Sequence, residues 1–410
     1  MANFEDRLLE LYESELRYLR NAGQDFSARY PKLAARLELG RTGSGDPQIE
    51  RLLESFAFLT ARLHQKADDD LALVPGALLQ SLYPSLASPT PGTGIASYSI
   101  DPEVPPPPTG MSVEPGTMLY ARGDNAELCR FRSAYGVNIL PINTTRFRVE
   151  NPGNYNSFNS SGVIAAMAFS VVGSGAPLNT VEAAVLQFFL EGPRKHTTEI
   201  LELLLANSAE ILLVDRVNGT ERRIGAESLR HMGFENGQAL LPDTIETHPG
   251  QRLLREYFII PEKFLFLELS NFDRRPMSPR VDIVFGLKNR PPSWLDMQSV
   301  RPMLHCTPVI NIFSTMAEPI ALTHQQTEYR IVPELGADDS HEVYSVSRVD
   351  VTSPNDPIPR RVSPFFGHEK LTEDGGPEVY WTTRRNLATG QRPGSDTYIS
   401  FVEPNMKRVR

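Results

Sequence analysis

Apolar residues in the first ninety positions recur at steps of three and four. Phe4, Leu8, Leu11, Tyr12, Leu16 and Leu19 fall along one side of a helical projection, while Glu5, Arg7, Glu10 and Arg17 take the other. This spacing predicts one amphipathic helix running to about Tyr30. Pro31 suits the first turn of a second, short helix through Arg36 and Leu37, because its fixed φ is already helical. The glycine-rich run 40–45 then reads as a flexible turn. Asp46-Pro47 is a helix start signal, since an aspartate can cap free amides and proline fits the first helical position. Behind it Ile49, Leu52, Leu53, Phe56, Leu59, Leu63 and Ala67 trace a second stripe, with Glu50, Arg51, Glu54, Arg62 and Lys66 on the remaining surface. That helix is expected to end near Asp68-Asp69-Asp70, and a short apolar helix through Ala77, Leu78, Leu79 and Leu82 to follow it.

From Ile95 onward the period changes to two. Ala96, Tyr98 and Ile100, then Cys129 and Phe131, then Met167, Phe169 and Val171 alternate with other residues, which predicts half-buried strands. Pro105 to Pro108 mark a stiff loop. Residues 211–217 and 220–224 flank Asn218-Gly219 and predict a hairpin, because Asn-Gly supplies the positive φ of a tight turn. One helix, from Thr198 through Ile200, Leu203 and Leu204, interrupts this β-rich stretch. Further strands are expected over 261–269, 281–285, 309–313, 343–349 and 397–402, with a segment rich in proline, glycine and charge after Ser353. The reading is an α+β chain: an N-terminal amphipathic helical region over 1–92, a β-rich domain with one inserted helix over 93–300, and a second β-rich domain over 301–410.

Composition narrows the function classes. Among 410 residues, 34 prolines favour loops and strands over long helices in the body. Fifty acidic against forty-one basic residues give a net charge of -9, which disfavours nucleic acid as a partner. Cys129 and Cys306 stand far apart and form neither a disulfide framework nor a metal cluster, which fits a reducing cytoplasm. The first residues are acidic where a secretory signal would be basic, and no run approaches the roughly 18 apolar residues of a membrane span, so no direct membrane insertion is expected.

The chain carries no phosphate-binding glycine loop, and its eight histidines form no His-x-x-x-His pair. His305 beside Cys306 is the one adjacent pair that suggests a nucleophile, but apolar neighbours favour a buried structural thiol. Asp68-Asp69-Asp70 lacks the spacing and glycine of a calcium loop and reads as a solvated acidic face. No catalytic, metal or cofactor residue is assigned. The two N-terminal stripes either pack within the chain or join a bundle with another chain, and periodicity alone leaves both open.

Several segments resemble the TssF family of type VI secretion baseplate subunits, also called VasA or ImpG. They are Tyr12-Glu13-Ser14-Glu15-Leu16-Arg17-Tyr18-Leu19-Arg20, Tyr30-Pro31-Lys32-Leu33-Ala34, Asp46-Pro47, Glu50-Arg51-Leu52-Leu53-Glu54-Ser55-Phe56-Ala57-Phe58-Leu59, Leu82-Tyr83-Pro84 and Pro89-Thr90-Pro91. Later ones are Arg252-Leu253-Leu254-Arg255-Glu256-Tyr257-Phe258 before Pro261-Glu262-Lys263-Phe264, Cys306-Thr307-Pro308-Val309-Ile310-Asn311-Ile312-Phe313 before Ala317-Glu318-Pro319-Ile320, Glu342-Val343-Tyr344-Ser345-Val346, and Pro364-Phe365-Phe366. Members of that family continue past the position of Thr397-Tyr398-Ile399-Ser400-Phe401-Val402, which implies a truncated C-terminal part.

The resemblance implies a non-enzymatic wedge component that works by protein-protein contact. Its partners would be the subunit TssG, other wedge components, sheath and spike proteins, and a second copy of the chain. It would be cytoplasmic and docked at the inner membrane through the apparatus. The expected partner-binding residues are Phe4, Leu8, Tyr12, Leu16, Leu19, Leu52, Phe56, Leu59 and Leu63. Two rival readings stand beside it: a hydrolytic enzyme or effector whose acids and histidines converge only in three dimensions, and a β-rich module binding a small ligand or glycan.

Overall fold

The computed structural model describes residues 4–35, 39–40, 43–44, 46–101, 103–104, 107–123, 128–160, 162–242, 248–323, 325–333, 341–353, 356–365, 379–388 and 394–403. They fall into two compact units, Met1–Ala87 and Ser88–Arg410.

The first unit is helical. Helix α1 spans Phe4–Arg29, α2 is the single turn Pro31–Ala34, α3 spans Pro47–Leu82 and α4 is Pro84–Ala87. The Asp46 side chain accepts from the Gln48 N–H at 2.8 Å and caps α3, as its position before Pro47 predicts. Two expectations change here. The second helix does not stop at the triple aspartate but runs for 36 residues to Leu82, absorbing the segment read as a separate helix. Aspartates lower helix propensity by only a few tenths of a kcal/mol each, whereas Pro75, inside the helix, costs about 3 kcal/mol and is still carried. The glycine run read as a plain turn holds a minimal pairing of β1 (Leu39–Gly40) with β2 (Gly43–Ser44). Arg36 and Leu37 lie outside the described residues.

The second unit is built on sheets. Its largest orders as β13 (Thr220–Arg223), β12 (Ser208–Asp215), β16 (Arg280–Leu287), β10 (Ala165–Gly173) and β8 (Ile142–Thr144), with β9 (Arg148–Glu150) also paired to β10. A second orders as β14 (Leu229–His231), β15 (Phe266–Leu269), β11 (Leu186–Glu191) and β17 (Arg301–Met303). The two sheets share one core, in which Phe169 of β10 meets Phe188 of β11 at 5.4 Å between ring centres, and helix α5 (Arg194–Ala206) buries Thr197, Ile200, Leu203 and Leu204.

The third sheet runs β3 (Thr93–Ser97), β18 (Cys306–Ile310), β6 (Leu128–Ser133) and β5 (Met118–Arg122), beside the pair β4 (Met111–Val113) and β7 (Val137–Ile139). Strands β19 (Tyr329–Arg330), β23 (Ser395–Val402) and β22 (Tyr380–Leu387) form a fourth sheet, packed through Ile331, Trp381 and Ile399, and β20 (Val349–Ser353) pairs with β21 (Asp356–Val362). The boundary expected near residue 300 falls within this framework: β17 completes the edge of one sheet and β18 lies between β3 and β6.

Strand β10 is not half-buried. Met167, Phe169 and Val171 face the shared core, and the alternate Ala166 and Ala168 are equally buried beneath Tyr155 and Phe158. The alternation of large and small residues reports two covered faces, the small one approached closely by the 3-10 turns Pro152–Asn154 and Asn156–Ser160. The hairpin forms, but its strands stop at Asp215 and Thr220, leaving four connecting residues. The Asp215 carboxylate accepts from the Val217 N–H at 2.7 Å and from the Asn218 side-chain amide at 2.7 Å, so the loop is shaped by aspartate as well as by Gly219 at φ 65°.

A second helix in the body, α6 (Pro249–Ile259), goes beyond the single inserted helix expected. The stretch 261–269 begins as a 3-10 turn, Pro261–Phe264, before β15, because Pro261 favours a helical first turn. Residues 341–348 lie outside strands, and the pairing starts only at Val349. Strands β21 and β22 occupy the segment after Ser353 where only one strand was expected, with arginines and threonines along an edge the apolar pattern does not mark. Pro105 and Pro106 lie outside the described residues.

Candidate partner-binding surface

Helices α1 and α3 run antiparallel, and ion pairs along them fix the direction. Arg7 meets Asp68 at 2.9 Å, Glu15 lies 3.8 Å from the His64 ring, and the Arg20 Nε–H donates to Glu50 at 3.0 Å. Each such surface pair contributes under about 1 kcal/mol, so together they set register more than stability. The seam itself is made of small and polar groups on the α3 side. Ala57 and Ala61 are fully buried and Gln65 nearly so, with Glu50 and Glu54 half-buried beside them. Alanines let two helix axes approach closely. Leu8, Tyr12, Leu16 and Leu19 of α1 are half-buried, as their stripe predicts. Phe4 opens α1, and its side chain lies outside the described residues.

The α3 stripe faces the other way. Leu52 is 69% exposed, Phe56 60%, Leu59 57% and Leu63 67%. Two residues along a helix turn about 200°, so these four stand opposite Ala57 and Ala61. Their spacing of four, three and four residues is that of a coiled-coil seam, a straight row onto which another helix can pack. The structure therefore divides the eight expected residues whose side chains are described between two surfaces: an α1 set turned into the helix pair and an α3 set turned out of it. Exposed Phe58, Leu71, Leu78 and Leu79 extend the apolar character of α3.

Outside the helical unit, an aromatic patch joins Phe234 with Leu254, Tyr257 and Phe258 of α6, all exposed, through ring contacts of Phe234 and Tyr257 with Phe264. Sequence reasoning missed it. The signal was present in the helical spacing of Leu254, Tyr257 and Phe258 behind Pro249.

The groups that suggest chemistry are each committed elsewhere. The His305 ring is buried and its Nε2 accepts the Leu140 N–H at 3.1 Å; burial pushes its pKa down to about 4. The Cys306 thiol donates to the Leu304 carbonyl at 3.3 Å, and burial pushes its pKa up, so neighbouring base and thiol do not activate one another. Lys263 and Glu256 form an ion pair with both side chains fully buried; Glu256 also accepts the Leu240 and Leu241 N–H groups at 2.8 and 2.9 Å, and Lys263 donates to the Gly233 carbonyl at 3.0 Å. Burial alone would raise the Asp282 pKa, but hydrogen bonds from Ser170 and Arg216 and the charge of Arg148 hold it below the ordinary range. Among the described residues no group of three or more His, Cys, Asp or Glu could hold a metal ion, and no helix is long and apolar enough to cross a membrane.

The chain is similar to known proteins over nearly its whole length. The family model described as "Type VI secretion system, TssF" matches residues 4–410. The type VI secretion system component TssF1 of Pseudomonas aeruginosa is 29% identical over 437 aligned positions, covering 98% of this chain and 68% of that protein. A chain in the cryo-electron microscopy structure of the TssK-TssF-TssG baseplate subcomplex superposes with a TM-score of 0.67 at 24% identity, over 85% of this chain and 65% of that one, and shows the shared fold. The chain thus spans about two thirds of the length of these relatives. With a match that runs from the first helix through the last strand, the chain belongs to the TssF family of the type VI secretion system.

Proposed function

We propose that this chain is a structural wedge subunit of the baseplate that works by protein-protein contact, with the outward row of α3 as its helix-docking face. The observation that carries the reading is the exposure of Leu52, Phe56, Leu59 and Leu63 on a helix that keeps its small residues for α1. Burying each of these side chains contributes on the order of 1.5–3 kcal/mol, which makes such a row costly to leave in water and effective once a third helix covers it. A solved relative sits in a subcomplex with TssK and TssG, and we assign the covering helix to TssG; other wedge components, sheath and spike proteins, and a second copy of the chain would meet the remaining surfaces. In this role the chain works in the cytoplasm, docked at the inner membrane through the apparatus. Leu8, Tyr12, Leu16 and Leu19 act indirectly, by seating α1 so that the α3 row stays turned outward.

The test replaces Leu52→Asp together with Phe56→Asp. The isolated protein should melt almost unchanged, because both side chains already face solvent. Copurification with TssG should fall a hundredfold or more, as loss of a hot-spot pair worth a few kcal/mol requires. A large drop in the melting midpoint with TssG binding intact would show that the row packs within the chain.

A further inference from the structure

The outward row of α3 has a charged border on one side only. At about 100° of turn per residue, Lys66, Arg62 and Arg51 stand about 50°, 90° and 110° from the middle of the row formed by Leu52, Phe56, Leu59 and Leu63, all in the same sense. The other border carries Ile49, Leu53, Thr60 and Ala67 at comparable angles and has no charge. All three cations are exposed, and none forms an ion pair or side-chain hydrogen bond with the described residues.

The acids of the same stretch lie on the opposite side. Between Pro47 and Ala67 they are Glu50 and Glu54, both half-buried toward α1, and Glu50 accepts the Arg20 Nε–H at 3.0 Å. Acid therefore sits in the seam and base on the free face, in a chain whose overall charge is -9. Arg62 and Lys66 are four residues apart, a spacing at which like charges weaken a helix. Nothing beside them offsets that repulsion among the described residues.

We infer that the helix covering this row is acidic along the border that meets Arg51, Arg62 and Lys66. In packed helix pairs the residues flanking one apolar row face those flanking the other and choose the partner by charge, so three unpaired cations select carboxylates. A second copy of α3 does not supply them: antiparallel, it would bring the two basic borders together, and parallel, it would set the cations against the uncharged border. A lipid surface also takes basic amphipathic helices, but those carry their cations across the polar face, whereas here that face is the alanine and glutamate seam with α1. The inference rests on the reading of the α3 row as a helix-docking face and adds the chemistry of what docks there.

The test measures binding of TssG to the chain and to Arg62→Glu with Lys66→Glu, at low and high salt. The variant should melt like the parent, because both side chains are exposed, and should bind at least about tenfold more weakly at low salt. Added salt should slow association of the parent and not of the variant. Arg62→Gln with Lys66→Gln should give a smaller loss, since it removes attraction without adding repulsion. In the parent complex a carbodiimide, which joins an amine to a carboxylate touching it, should link Lys66 to an acid of TssG, and changing that acid to lysine should restore binding to the doubly reversed variant. Unchanged affinity and salt dependence in the reversed variant, while Leu52→Asp with Phe56→Asp still abolishes binding, would overturn the inference alone. So would charge-dependent binding to phosphatidylglycerol vesicles with TssG binding unaffected, which would assign the cations to lipid. Intact TssG binding after Leu52→Asp with Phe56→Asp would instead remove the reading beneath it.

Discussion

Glu256 of α6 and Lys263 of the following 3-10 turn neutralise each other with neither side chain reaching solvent, and main chain adds to both: the Leu240 and Leu241 N–H groups donate to Glu256, and Lys263 donates to the Gly233 carbonyl. Removing one member leaves the other charge buried and unpaired, at a cost of about 3–5 kcal/mol. We predict that Glu256→Gln or Lys263→Met each lowers the urea midpoint strongly. Glu256→Gln combined with Lys263→Met should cost clearly less than the sum of the singles. Additive losses in equilibrium unfolding would show that the pair is not coupled.

His305 makes stability depend on pH in a defined direction. Its folded pKa, about 4, lies below the ordinary 6.5, because burial disfavours the cation and the Nε2 lone pair is occupied by the Leu140 N–H. Between these values the unfolded chain takes up the proton and the folded one does not. The contribution is therefore fully present above about 6.5 and is lost as pH falls toward 4, reaching about 3 kcal/mol. His305→Asn tolerates the left-handed backbone and cannot titrate. Comparing denaturation midpoints of the two proteins at pH 7 and pH 4.5 checks this; parallel acid losses would assign the effect to other groups.

The seam and the outer row of α3 should respond oppositely to changes in size. Ala57→Leu inserts bulk where α1 and α3 meet and should destabilise the helical unit by about 1–3 kcal/mol. Leu59→Ala, on the outer row, should leave intrinsic stability within about 0.5 kcal/mol. Limited proteolysis of the segment 4–82 distinguishes them, since only the first should become easier to cleave.

Gly286 of β16 sits beneath the aromatic cover of the small face. A Cβ there would stand 2.7 Å from the Phe158 ring and 2.8 Å from Val163. We predict that Gly286→Ala costs about 1–3 kcal/mol by displacing the 3-10 turn that carries Phe158. Near-UV circular dichroism should report the loss of aromatic order, and an unchanged spectrum and midpoint would count against close packing there.

How much of this was legible follows from what periodicity measures. The period along α1 and α3 located both helices, because a 3.6-residue repeat survives any tertiary context. It did not show which face of α3 packs inward. Leu52, Phe56, Leu59 and Leu63 form the strongest apolar row, yet α1 packs on Ala57 and Ala61, since a pattern names a hydrophobic face and not its occupant. In β10 the same ambiguity appears with period two: Ala166 and Ala168 resemble solvent-facing spacers but lie beneath Tyr155 and Phe158. Helix α6 was hidden because Arg252 and Glu256, both buried, interrupt its apolar pattern.

If a partner helix covers the outward row on α3, as proposed, the abundance of this chain is tied to that of the partner. A partner that binds only the folded chain shifts its equilibrium by RT ln(1 + [L]/Kd), about 2.7 kcal/mol when the partner stands at a hundred times Kd. Copies made in excess of the partner forgo that increment and present four large apolar side chains to chaperones and proteases. Stoichiometry would then be enforced after synthesis, by clearance of unassembled chains, without any dedicated regulator.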